Sequence, residues 1–470
     1  MKAALFCGGL LALIATRATA QESQFASDVR REMTHVSESC SSIDVKALGG
    51  CAYTVATESP LHVALGSLAP LNGFAFGLAF DEHYTPNESW RLSWNADAVA
   101  SFGGNWRAGV YMKLIRTPST SGVTVHRAGD AASPAAPGPR ALPVFGLFAQ
   151  TISLDTINYF GSGPSSVEAG RSLYGERETI VGGSVVYPLN VAGPLGAWQP
   201  ALVGGVAGRF IAIRSPGSDD APPIDRLYDE RTAPGLTDQR AFAEFREGLR
   251  LAPSLLDARL RLNYLLQAQQ FGTSGDTHGS FFRWTADLQH EIPIYRTVSS
   301  TGPKDFNGPD ECSQSPASPA CPPVQWSRNR EGTIGFRLLL SASTTSGGNR
   351  VPFYLQPTLG GSDLNGDRLL ASYQDYRFRG PDLLALEESV EHSLWGPFGV
   401  FLLAEQGKVG ETIGDLGFSG MATSVTIGAT LRAGGFPMVN LSFSWGGEGH
   451  HIIGAMNTTL LGGSARPSLF

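Results

Sequence analysis

The sequence predicts an all-β chain folded as a closed antiparallel transmembrane β-barrel. Three observations lead there: apolar residues recur with a period of two, the chain opens on an export leader, and no later apolar run is long enough for a membrane helix. Composition narrows the field. Of 470 residues 42% are hydrophobic and 16% charged, with 57 Gly and 30 Pro, which excludes a disordered polymer and a coiled coil. The 42 acidic and 35 basic residues give a net charge of -7 without long runs of either sign, so no nucleic-acid partner is expected.

Residues 1–20 carry Lys2, an apolar stretch from Leu5 to Thr16, and Ala18-Thr19-Ala20 ahead of Gln21. This is the pattern of a secretory signal peptide, and its apolar core is too short to anchor the chain. Cys7 should leave with it. Cys40 and Cys51, and Cys312 and Cys321, are near neighbours in sequence. In an oxidising compartment each pair is expected to close a local disulfide. Zinc is the alternative, but neither pair has C-x-x-C spacing and no nearby histidine pair completes a site. Residues 21–70 stand apart as an N-terminal periplasmic segment or plug, leaving 71–470 for the barrel.

Strand by strand the alternation is explicit. Phe74, Phe76, Leu78 and Phe80 alternate with Ala75, Gly77 and Ala79. Trp90, Leu92, Trp94, Ala96, Ala98, Ala100 and Phe102 share one face, opposite Arg91, Ser93, Asn95, Asp97 and Ser101, with only Val99 out of place. The pattern continues through 106–116, 143–153, 172–187, 199–213, 241–251, 258–271 and 280–292. It resumes over 333–343, 383–394, 398–408, 421–433, 437–445 and 452–461. That makes about 15 strands by the alternation rule, and since bacterial barrels close on an even number, one is missing. Gly103-Gly104-Asn105 and Trp395-Gly396-Pro397 read as tight turns. The connections 117–142, 214–240, 295–331 and 344–381 read as long loops, expected on one rim with the tight turns on the other. A soluble β-sandwich also alternates. Here, however, many strands reach ten or more residues, enough to cross about 25 Å at a tilt, and the opposing face is rich in Arg, Asn, Asp and Gln, as a wet lumen requires. A closed barrel also pairs every backbone group within lipid.

No catalytic motif appears, so an enzyme is not expected, nor a cofactor, nor a metal: His450 and His451 would face apart on a strand, as would Glu387 and Glu388.

The stretch Pro352–Val409 is the most informative. It holds Gly360-Gly361-Ser362, then Arg368, then Ala371-Ser372-Tyr373, then Arg377 and Arg379, and further on Glu405-Gln406-Gly407. It resembles the C-terminal barrel of the BamA/TamA superfamily, the bacterial surface antigen family. There a Gly-Gly-Ser element precedes an Arg-Gly-aromatic tip on a loop folded into the lumen, and an acid on a later strand holds the tip. The resemblance implies sixteen strands, five of them after the loop, in the bacterial outer membrane. Phe160-Gly161-Ser162-Gly163-Pro164 and Pro234-Gly235-Leu236 also look like this family.

Two departures matter. Ala371-Ser372 replaces the Arg-Gly of the tip and Glu405 replaces the Asp. Arg368, Arg377 or Arg379 is therefore expected to reach Glu405, the alternative being that these arginines are solvated. Periplasmic POTRA repeats have no room before the barrel. Phe470 fits the terminal aromatic that the barrel assembly machinery reads, although Pro467 interrupts the alternation before it.

The expected role is assistance to protein or lipid insertion or translocation at the outer membrane, with membrane lipid, the assembly machinery and an unidentified protein client as partners. A passive pore for small solutes is the alternative, and a surface-exposed structural or adhesive protein a third.

Overall fold

In the computed structural model, residues 61–456 are described, except 88, 117–141, 257, 274–278, 301–324, 363–367 and 434–435. The expected leader, the four cysteines of the expected disulfides and Phe470 lie outside the described residues.

The first strands are β1 (Leu61–Ser67), β2 (Phe74–Asn87), β3 (Trp90–Ser101), β4 (Trp106–Arg116), β5 (Val144–Tyr159) and β6 (Ser172–Pro188). There follow β7 (Ala201–Arg214), β8 (Ala241–Leu251), β9 (Ser254–Leu255), β10 (Leu260–Thr273), β11 (Phe281–Ser300) and β12 (Gln325–Thr345). Two short segments, β13 (Thr358–Leu359) and β14 (Phe378–Arg379), pair with each other inside the following connection. The last strands are β15 (Asp382–Trp395), β16 (Phe398–Gly410), β17 (Ala422–Ala433), β18 (Phe436–Gly446) and β19 (Gly449–Met456).

The main sheet has 17 strands, of which β9 is a two-residue piece, so sixteen long strands remain. Their registers run antiparallel from each strand to the next, β1 to β2 through β18 to β19, with β10 receiving β8 and β9 together. Five of them follow the 346–381 connection, as expected. The missing strand is β1, which falls within the stretch read as an N-terminal segment. It pairs with β2 from Leu61↔Phe80 to Ser67↔Phe74, so the sheet begins before residue 71.

Alternation sorts the side chains as the sequence requires. Phe74, Phe76 and Leu78 are exposed, while Ala75 and Ala79 between them are buried. On β3, Asp97, Val99 and Ser101 point inward; the out-of-place Val99 is an inward residue. The outer face carries exposed rings near one rim (Phe102, Trp106, Trp445) and near the other (Tyr187, Trp395, Phe398). Between them lie exposed aliphatic groups such as Val181, Val206, Leu402 and Leu441. An apolar band between two aromatic belts is the outer surface of a membrane-spanning barrel. No helix of the described residues is long and apolar enough to cross a membrane.

The rim carrying the β1–β2 and β3–β4 connections is called here the upper rim. Connection 346–381 also leaves from it, and so does 215–240. Connections 117–143 and 301–324 leave from the lower rim, as does the tight turn 396–397. The expectation that long loops share one rim is therefore wrong. The reason is parity: three strands separate 117–143 from 215–240, and one separates 301–324 from 346–381, and an odd number of crossings changes sides. The 295–331 connection is also shorter than expected, because β11 and β12 stay paired out to Ser300↔Gln325.

Candidate functional site: the lumen plug and its anchors

The connection 346–381 does not stay outside the wall. It touches β5 through Asn158, β6 through Tyr174, β11 through Arg283, β16 through Glu405, β17 through Ser424 and the β18–β19 turn through Glu448. Ala64 of β1 joins the same apolar cluster as its Phe353 and Tyr376. One segment can meet strands from both ends of a sheet only if the sheet curls around it. The lumen beneath the upper rim is therefore filled, and inward-facing residues there are as buried as a protein core, not wet as expected: Arg209 and Glu244 are 0% exposed.

The plug enters on a 3-10 turn, Phe353–Leu355, whose three side chains are buried. Phe353 packs edge-on against Tyr159, Tyr174 and Tyr354 at centroid distances of 5.1–5.3 Å. Arg379 runs through this cage. Its Nη1 donates to the Phe353 carbonyl at 2.6 Å and its Nη2 to the Tyr174 hydroxyl at 3.1 Å, and the guanidinium stands 5.8–5.9 Å from three ring centroids. From the wall, Arg283 donates to the Leu355 carbonyl. Two arginines thus hold the carbonyls of the first and last residues of one turn.

The glycines answer a close approach. Gly360 and Gly361 both have positive φ (105° and 61°), and a Cβ on either would collide with the returning segment, at Arg377 Cβ (2.6 Å) and Asp375 Oδ1 (2.1 Å). The Ser362 N–H donates to Asp375 Oδ1 at 2.9 Å, and Arg368 Nε donates to Ser362 Oγ at 3.3 Å. Burial raises the Asp375 carboxyl above its ordinary pKa, and the Ser362 N–H partly offsets this. Gly407 leaves space in the wall where a Cβ would meet Leu359 Cδ1 at 2.7 Å.

The tip corrects the expected latch. Glu405 is 1% exposed and accepts the backbone N–H of Ala371 at 3.1 Å; among the described residues no arginine forms an ion pair with it. Next to it, the Ser372 N–H donates to Ser424 Oγ at 3.0 Å. Geometry explains the exchange. The part of the loop facing β16 is Leu370–Ser372, which has no cationic side chain, so main-chain amides serve as donors. Arg368 is half-buried, and the other two arginines are not solvated either. Arg377 is 4% exposed and Arg379 1%.

Arg377 works elsewhere. Its Nε donates to both carboxylate oxygens of Glu448, at 2.8 and 2.9 Å, while Nη1 and Nη2 reach Ser166 Oγ and the Ser166 carbonyl at 3.1 and 3.2 Å. It lies against the rings of Phe160 and Phe378, at 5.1 and 4.7 Å. Tyr373 stacks edge-on with Phe378 and fills the space over Gly447 in the β18–β19 turn. Of the residues singled out from sequence, Gly360, Gly361, Ser362, Arg368, Tyr373, Arg377, Arg379, Glu405 and Gly407 all meet in or around the plug. Their partners Glu448, Ser166, Tyr174 and Asp375 were not foreseen. Only Arg283, an inward cation on an alternating strand, left a signal in the sequence.

No family model matches the chain, and no curated protein matches it. Among solved structures the chain is similar to CdiB from Acinetobacter baumannii, at 10% identity and a TM-score of 0.46, over 84% of this chain and 58% of that one. It is similar to CdiB from Escherichia coli at 12% identity and a TM-score of 0.46, over 83% and 59%. Another similar structure is BamA from Haemophilus ducreyi lacking POTRA domains 1–3, at 10% identity and a TM-score of 0.44, over 85% and 70%.

Proposed function

We propose that this protein is a bacterial outer-membrane barrel that assists insertion or translocation of proteins or lipids, with its lumen kept shut by the 346–381 plug. The observation that carries the reading is the buried, multiply anchored Arg377–Arg379 segment, which leaves little room for a steady aqueous path. Work of this kind needs no cofactor. It can use a weak seam between first and last strands together with local thinning of the bilayer. In support, among the described residues no register joins the first strand, β1, to the last, β19.

Planar-bilayer recording tests the reading. The intact protein should be silent, and replacing residues 353–379 by a short linker should open a steady conductance. Steady conductance from the intact protein would instead favour the passive pore. Amide exchange in 61–67 and 449–456 should be faster than in β6 and β7, and uniform protection would remove the seam. Proteoliposomes carrying the protein should also speed insertion of an unfolded barrel client; no acceleration would count against the assisting role.

A further inference from the structure

Alternation assigns Arg177 to the wrong side for a lumen residue. Its neighbours Glu176 and Glu178 are buried inside the barrel, whereas Arg177 shares the outer face with Thr179, Val181 and Tyr187 and is exposed. Among the described residues no group pairs with it. Its height on the wall follows from the strand. Tyr187 belongs to the lower aromatic belt, and ten residues at about 3.3 Å each, tilted about 40°, place Arg177 about 25 Å above it. Registers agree: Trp106↔Ser153 and Ser153↔Arg177 put Arg177 two strands along one hydrogen-bonded row from Trp106 of the upper belt, within about 6 Å of its height at that tilt. Arg177 therefore meets the bilayer at headgroup level, not in the hydrocarbon.

A second cation lies beside it. Arg214 is paired in register with Gly175, two residues from Arg177 on the same face. The absence of a side chain at Gly175 lets Arg214 cross it, donating to Ser153 Oγ at 2.9 Å, the Leu154 carbonyl at 3.3 Å and Asp155 Oδ1 at 2.9 Å. Arg214 is still 37% exposed on its side chain. Asp155 thus neutralises Arg214 alone, and the unpaired Arg177 beside it leaves an excess positive charge at the membrane surface.

We propose that Arg177 and Arg214 form a site on the outer face of the barrel for the phosphate of a membrane lipid headgroup in the leaflet beside the upper rim. A guanidinium offers forked donors that match phosphate oxygens, and low exposure to bulk water strengthens the contact. The acyl chains would lie down the apolar band over Val181 and Val206. The inference depends on the membrane placement of the wall and not on the insertion role, so either can fail alone.

The test compares the intact protein with Arg177→Gln, Arg177→Gln/Arg214→Gln and a control, Arg231→Gln, on a loop beyond the belt. Each is incubated in mild detergent with phosphatidic acid or with diacylglycerol of the same chains, and bound lipid is counted by native mass spectrometry. Heat-modifiable migration confirms folding, and Arg177→Lys checks that charge alone gives partial retention. Phosphatidic acid should bind the intact protein and the Arg231 variant at least tenfold more tightly than Arg177→Gln, and diacylglycerol should show no difference among them. Equal retention by intact protein and Arg177→Gln would overturn the site. Displacement of the lipid by an equal concentration of inorganic phosphate would overturn it as well, by making it a site for a free anion.

Discussion

Arg209 and Arg379 are both fully buried, yet they are held in opposite ways. Arg209 belongs to the wall. It bridges Glu178 of β6 at 2.8 Å and Glu244 of β8 at 2.6 Å, and Gln269 of β10 donates to the second oxygen of Glu244 at 3.0 Å. Arg379 belongs to the plug and donates to a carbonyl and a phenol within a cage of rings. The difference separates two tasks. Neighbouring strands have fixed spacing and can carry matched ions, so the wall joins itself by charge. A loop crossing the lumen has no such register: neutral acceptors and aromatic faces hold its Arg379, and an ion pair, Arg377–Glu448, ties it to the β18–β19 turn.

The largest effect should come from Arg209→Ala, which strands the buried Glu178 and leaves Glu244 with only Arg246 and Gln269. A loss of about 3–5 kcal/mol is expected, read as disappearance of heat-modifiable migration. Survival of the folded band would mean the wall is not held by charge. Arg379→Ala should leave the barrel folded and free the plug. With charged hydrogen bonds contributing about 1.5–3 kcal/mol each, the plug should open often enough to give flickering conductance in planar bilayers. Arg379→Lys should not restore silence, because one ammonium cannot span both acceptors with a planar fork. If Arg379→Ala also abolished folding, the division between wall and plug would be lost.

Smaller effects sharpen the picture at the tip. Glu405→Ala leaves the Ala371 N–H without its acceptor, a cost of about 1–3 kcal/mol, whereas Glu405→Gln keeps an oxygen there and should behave almost as the intact protein. An equal loss in both variants would require a charge-dependent partner for Glu405. The smallest expected effect concerns pH. Asp375 has its pKa raised in the folded plug, so the folded state holds its proton to higher pH than the unfolded one, and the plug weakens as pH rises through that window. Asp375→Asn retains an acceptor for Ser362 N–H and should flatten this dependence, measured as the pH profile of protease access to the loop.

Much of this architecture is legible residue by residue. Trp90 to Phe102 announces a strand with a wet and a dry side, and the Gly360-Gly361 pair marks a place where two backbones nearly touch. β1 was legible too, since Leu61, Val63 and Leu65 alternate with smaller or polar groups, but a seven-residue strand within the nine residues between Pro60 and Pro70 makes a weak pattern. The rim of each long connection could have been counted from strand parity alone. The partner of Arg377 could not: Glu448 lies 71 residues away, on a hairpin turn that neighbours the loop only once the sheet has curled.

By itself the sequence determined all the long strands but the first, the two faces of the wall and the aromatic residues at its edges. Each of these follows from backbone geometry within a few residues, where successive side chains must point to opposite sides, whereas the inward loop was implied only by the family resemblance. Only the tertiary structure decided that Ala371 N–H and not an arginine meets Glu405, that Arg377 turns to Glu448, and that Arg177 shares a hydrogen-bonded row with Trp106. Those pairings depend on how far one strand is shifted against the next and on the path of a loop across a closed space, which no local pattern encodes.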